Sequence, residues 1–120
     1  LDQLRLRYRM AISAAECYRQ AGFTTVLQDI VIGPMLGEFI DLVPHRPISL
    51  VVLTPRPSEV AKREQRRSKT GYVGFTPEQL DSVLHSSTPR LGYWLDSTNL
   101  TLEDTVDLVL ANLDRAARID

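Results

Sequence analysis

The densest concentration of chemistry-bearing side chains lies between Arg56 and Lys69, where six cations stand against two anions. The segment carries a local charge of +4 in a chain of net charge −1, so the remainder carries −5. The positive charge is therefore placed rather than scattered. It follows the apolar run Ile48–Leu53 and opens at Pro57-Ser58, a proline suited to the first position of a helix. A strand that delivers a helix bearing several arginines suits a phosphate-rich ligand, because a planar guanidinium meets phosphate oxygens with two parallel N–H donors. The plain alternative is a solvated helix face. A second candidate is Asp29, at the end of the apolar run Phe23–Gln28. An acidic residue at the carboxyl end of a buried strand lies where open α/β sheets bind ligands; a turn or helix cap is the equal alternative. His45 lies in a proline-bounded loop with no ligand partner at metal spacing, and His85 reads as a helix-end residue. Cys17, the sole cysteine, falls in an apolar helical pattern and is expected to pack in the core.

Some chemistry is excluded by spacing. A phosphate-binding loop needs G-x-x-x-x-G-K-[ST], so that successive backbone N–H groups wrap the phosphates. The chain has no such run; Ser68-Lys69-Thr70 imitates its end but follows a helix and lacks the glycines. G-x-G-x-x-G, a cysteine pair for zinc and a serine nucleophile elbow are absent too.

The elements that must position these residues are read from periodicity. Residues 1–21 read as a helix, with Leu4, Tyr8, Ala11, Ile12, Ala15 and Tyr18 on one face and glycine at position 22 to end it. The arginines Arg5, Arg7, Arg9 and Arg19 form a solvated face. Phe23–Gln28 is β-branched and apolar without alternation, the signature of a strand buried on both faces. A short helix is predicted from Pro34 to Leu42, a second strand over Ile48–Leu53, and the basic helix from there to Lys69. Thr76-Pro77-Glu78-Gln79 starts a helix that runs to about His85. Gly92–Leu95 is a third short strand, and Thr101-Leu102-Glu103-Asp104 opens a last helix reaching about Ala117, with Val106, Leu108, Val109, Leu110 and Leu113 on its apolar face. Within the third strand, Tyr93 and Trp94 are read as core rather than as a stacking platform. Helices joining strands in this order predict an α/β fold with a parallel sheet and right-handed crossovers.

Length and composition admit one domain with an ordinary globular balance, 43% hydrophobic and 24% charged. One cysteine forms no internal disulfide and fits a reducing compartment, so a cytoplasmic location is expected. No apolar run is long enough to span a bilayer, and there is no signal peptide. The chain opens at Leu1, already inside a helical pattern, from which an upstream segment is expected.

Three segments taken together resemble one family. They are Asp29 after its apolar run, the strand–proline–SEVAKREQRR unit, and PRLGYWLDSTNLTLEDTVD from Pro89 to Asp107. Their order is similar to the C-terminal two-thirds of P-loop small-molecule kinases, the phosphotransferase group that includes chloramphenicol phosphotransferase. The resemblance implies a P-loop NTPase-like, three-layer α/β fold, with helices on both faces of a parallel sheet ordered 2-3-1-4-5. The strands present here would be 3, 4 and 5, with strands 1 and 2 and the phosphate loop outside this sequence. It implies one partial kinase-like domain over residues 1–120, in which residues 56–85 form the lid and the acceptor side. It implies ATP and Mg2+ as cofactors and a small-molecule alcohol as acceptor: an antibiotic, a nucleoside or a sugar acid. Arg63 and Arg67 would clamp the phosphates, with Arg66 assisting. Asp29 would hold the metal through water or take the hydroxyl proton, and Ser97, Thr98 and Asn99 would lie beside the adenine. The acceptor pocket would draw on Ile30–Phe39 and Tyr72–Leu84. A missing N-terminal segment or a completing chain is then an expected partner. The competing reading is a non-catalytic module or fragment whose basic helix contacts nucleic acid or an acidic partner. The acidic remainder and the lack of aromatics among the arginines argue against nucleic acid.

Overall fold

The computed structural model describes residues 2–66 and 76–120. The chain runs through five helices and four short strands among the described residues. These are α1 (Asp2–Gln20), α2 (Met35–Leu42), β1 (Ile48–Ser49), β2 (Val51–Leu53), α3 (Pro57–Gln65), α4 (Pro77–Ser87), β3 (Tyr93–Leu95), α5 (Leu102–Asn112) and β4 (Arg118–Ile119).

Local chemistry accounts for most of the helix ends. Asp2 in the first turn and Arg19 in the last complement the dipole of α1. The helix closes through Gly22 at φ +97°, where Gly22 N–H donates to the Arg19 carbonyl and Phe23 N–H to the Tyr18 carbonyl. That is the paired closure a left-handed glycine permits, and the Phe23 ring meets the Tyr18 ring edge-on at 5.9 Å. α4 and α5 each begin with a capping box, Thr76 with Gln79 and Thr101 with Asp104. α3 begins at Pro57, whose missing N–H costs nothing there. The expected continuation of the basic helix through Arg67 to Lys69 lies outside the described residues.

The strands form two ribbons. β2 pairs with β3 in parallel, Val52 opposite Trp94, and β1 pairs with β4 antiparallel, Ile48 opposite Ile119. Leu50 joins them: its N–H donates to Ala117 and its carbonyl accepts from Tyr93. Thr54 N–H then donates to Leu95. Backbone groups alternate between the edges of a strand, so those of Ser49, Val51 and Leu53 face the other edge. No further strand pairs there among the described residues.

This overturns the expected three-layer parallel sheet with helices on both faces. The described chain is rich in helix, its strands are two or three residues long, and one of the two ribbons is antiparallel. The cause lies at Phe23–Gln28. This run is apolar enough for a doubly buried strand but has no strand beside it. It stands as exposed, unpaired chain, with Val26 87% exposed. The second and third expected strands do pair in parallel. The C-terminal strand Arg118–Ile119 was hidden behind the predicted last helix, which stops at Asn112 instead of near Ala117.

Burial is concentrated in two small sets. Tyr8 and Ile12 of α1 and Leu36 and Ile40 of α2 are buried, with the Tyr8 and Phe39 rings edge-to-face at 5.2 Å. A bidentate pair from Arg5 to Glu38 fastens the same two helices and holds the Glu38 carboxyl below its ordinary range. Leu95, Ser97 and Ala117 make the second set, around the ribbons. Cys17 is exposed rather than in the core. Tyr18, Val106, Leu108 and Leu110, expected on apolar inner faces, are exposed as well. Among the described residues no helix is long and apolar enough to cross a membrane.

Candidate functional site

The parallel pairing of β2 and β3 brings their carboxyl ends side by side, and the segments leaving the two strands meet there. After β2 come Pro55, Arg56 and α3; after β3 comes the turn Asp96–Asn99. Arg56 N–H donates to the Thr98 hydroxyl at 2.8 Å. Arg63, two turns into α3, reaches back to the same turn, its Nη1 donating to Ser97 Oγ at 3.3 Å and its Nη2 to the Ser97 carbonyl at 2.9 Å. Its Nε donates to Glu59 one turn earlier, at 3.2 Å. Ser97 is only 2% exposed, so the guanidinium is anchored on a buried group.

The turn organises itself around Asp96. Its carboxylate accepts from the Thr98 hydroxyl and, at 3.0 Å, from the Thr98 N–H. These bonds, the hydroxyl's first, hold the Asp96 carboxyl below its ordinary range, and the nearby charges of Arg56 and Arg63 act the same way. The site thus consists of two arginines, one ionised carboxylate and a serine–threonine pair at the carboxyl ends of two parallel strands. Such ends are where α/β proteins commonly receive ligands.

A guanidinium has five N–H donors. Arg63 uses one on Glu59 and two on Ser97, which leaves two for an anion. The residues present therefore fit a phosphate without dismantling the turn. Magnesium is a different matter. Among the described residues no group of three or more His, Cys, Asp or Glu is placed to hold a metal. Asp29 offers one carboxylate, which suits an ion that takes one or two carboxylates along with phosphate oxygens and water.

Of the residues singled out from the sequence, Arg63, Ser97 and Thr98 come together. Asn99 belongs to the same turn, and Arg66 is the exposed residue that ends α3. Arg67 lies outside the described residues. Asp29 stands apart: its carboxylate takes Arg7 Nη2 at 3.0 Å and the Ile30 N–H at 2.7 Å. No hydrogen bond or ion pair links it to Arg63 or the Ser97 turn among the described residues. Beside it, burial and then the Asp29 charge push the Tyr8 hydroxyl pKa up, and that hydroxyl donates to the Ile30 carbonyl at 3.1 Å. Within the segment expected to form the lid, α3 and α4 pack against each other.

Sequence reasoning counted Arg56 and Glu59 in the basic segment but gave them, like Asp96, no role in the site. Asp96 had a readable signal, since an aspartate two residues before a threonine is a common turn-closing pair. Arg56 had none, because its contact depends on the register of β2 against β3. Compared with protein-family models, curated proteins and solved structures, the chain matches none of them, and the reading of its function rests on its own residues.

Proposed function

We propose that this chain carries the arginine side of an ATP-dependent phosphotransferase that moves the γ-phosphate to an alcohol group of a small molecule. The observation that supports this reading best is the anchoring of the Arg63 guanidinium on Ser97, with two of its donors left over, beside a turn fastened to the start of α3 by the Arg56 main-chain N–H. The reading requires a phosphate-binding loop from residues outside these 120, in the same protein or a completing chain.

ATP, with magnesium, supplies the phosphoryl group when bound. The chain's own residues orient and neutralise. Arg63 directs its remaining N–H donors at phosphate oxygens, held there by Glu59 and Ser97, and Arg66 adds charge from the end of α3. Arg67 is proposed to share the clamp. Preorganised donors of this kind stabilise charge that develops during transfer without having to reorient. Thr98 and Asn99 border the nucleotide side, while buried Ser97 acts mainly by holding Arg63. Asp29 has to give up Arg7 before it holds a metal-bound water or takes the acceptor's hydroxyl proton.

The test is ATP-dependent release of ADP by the natural full-length protein across a panel of alcohol acceptors, before and after Arg63→Ala and Arg63→Lys. Loss of one preorganised donor costs roughly 10²- to 10³-fold in rate. Arg63→Ala should therefore fall by about that factor, and Arg63→Lys should recover only part of it because lysine lacks the fork. A full-length protein that neither binds ATP nor releases ADP with any acceptor sinks the proposal. Oligonucleotide binding that weakens steeply with salt would instead favour the binding-module reading.

A further inference from the structure

We infer that the outer face of α1 and the apolar stripe of α5 are the two halves of one self-association surface, α1 of one copy seating on α5 of another. The inference is independent of the proposed activity. α1 is apolar on two opposite faces. Tyr8 and Ile12 point to α2 and are buried, whereas Leu6, Met10, Ala14 and Cys17 recur at helical spacing on the far side and are exposed, Met10 by 64%. On α5, Thr105, Val109 and Leu113 turn inward, while Leu102, Val106 and Leu110 form a stripe at i, i+4, i+8 beside them, 86%, 52% and 61% exposed.

The charges flanking the two stripes are of opposite sign, and that selects a second copy as the occupant. Arg7 and Arg9 frame the α1 stripe. Glu103 and Asp107 run along the solvent flank of the α5 stripe, one helical turn apart. Arg7 is engaged with Asp29. Arg9, Glu103 and Asp107 have no ion-pair partner among the described residues and are not otherwise engaged. The shapes match as well. Leu6, Met10 and Ala14 on α1 and Leu102, Val106 and Leu110 on α5 both repeat at four-residue spacing, so ridges along i±4 rows can interleave. Beside the α1 stripe an open cavity of about 380 Å³, lined among others by Arg9, Ser13, Cys17 and Leu42, offers room for a projecting side chain such as Leu110. A second copy accounts for both stripes at once; residues outside these 120 that covered the stripes instead would leave the full-length protein monomeric.

Sedimentation velocity over a concentration series tests this. The natural full-length protein should shift from monomer to a larger species as concentration rises. Met10→Glu places an anion against the acidic flank, and Leu110→Lys places a cation against the arginines. Both positions are exposed, so circular dichroism should show an unchanged fold, and each variant should weaken association roughly tenfold or more. The doubly reversed chain Glu103→Lys/Asp107→Lys and the chain Arg9→Glu should each associate poorly alone and better when mixed. Under mild oxidation with diamide, Leu110→Cys should link to Cys17 of a neighbouring copy. A full-length protein that stays monomeric at every soluble concentration overturns the inference. So does association that Met10→Glu and Leu110→Lys leave intact, the outcome expected if copies pair through the open strand edge at Ser49, Val51 and Leu53.

Discussion

At the scale of single residues the candidate site is a set of reciprocal restraints. Arg63 is held by Glu59 and Ser97, Arg56 by Thr98, and Thr98 by Asp96. The lowered pKa of Asp96 has a testable consequence. Its folded pKa lies below the unfolded one, so its contribution to stability is fully present above the ordinary aspartate pKa, about 3.9, and is lost as pH falls through the folded value. The main cause is the Thr98 hydroxyl bond. Thr98→Val should therefore raise the Asp96 pKa toward its ordinary value in a carboxyl-carbon NMR titration; an unmoved titration would assign the shift to the surrounding arginines instead. Arg63, Ser97 and Thr98 were singled out only through the family resemblance; the structure brings Arg63 onto Ser97, a contact that no local pattern spells out. Arg56 acts across strands, and no local pattern encodes which turn a neighbouring strand's residues will meet; Asp96 did carry a local signal, two residues before the Thr98 it binds.

At the scale of elements, the helices were the most readable part, since caps are written in four residues. Thr101 accepts from the Asp104 N–H and Thr76 from the Gln79 N–H. Removing the α5 cap with Thr101→Ala should cost about 1 kcal/mol, measured by urea denaturation, with faster amide exchange in the first turn of the helix. The strands were less readable. Phe23–Gln28 has the composition of a central strand, yet composition does not supply a neighbour to pair with. β4 was masked by the apolar pattern that precedes it. Gly92 marks the start of β3 at φ +76°, and a Cβ there would collide with the Leu50 carbonyl oxygen and side chain. Gly92→Ala combines left-handed strain with a close backbone clash. It should destabilise by on the order of 2–5 kcal/mol and loosen the β2–β3 pairing; a change within a few tenths of a kcal/mol would show that the ribbon shifts freely.

At the scale of the whole molecule, the buried apolar side chains among the described residues fall into two modest groups. The α1–α2 set is built on Tyr8, Ile12, Leu36 and Ile40, and the ribbon set on Leu95 and Ala117. Leu36→Ala should cost about 2–5 kcal/mol, as large-to-small core changes do. If the two sets are energetically separate, Leu36→Ala and Leu95→Ala should add to within about 0.5 kcal/mol in the double variant. A larger interaction energy, measured by chemical denaturation, would show that they unfold as one unit. This division was not legible from the sequence. The periodic pattern gives each helix an apolar face, but α5 and α1 leave part of theirs in solvent, and periodicity does not say which faces are covered.

Trp94 gives the ribbon a built-in optical reporter. It is the chain's sole tryptophan, set opposite Val52, with the Arg90 guanidinium 4.1 Å above its ring and the His85 ring 6.2 Å away. Its indole N–H donates to the Leu91 carbonyl. Intrinsic tryptophan fluorescence from these 120 residues therefore comes from one environment, two residues from the turn that anchors the phosphate-clamp candidate. A ligand that pulls Arg63 off that turn would register in the emission spectrum of this chain without any label.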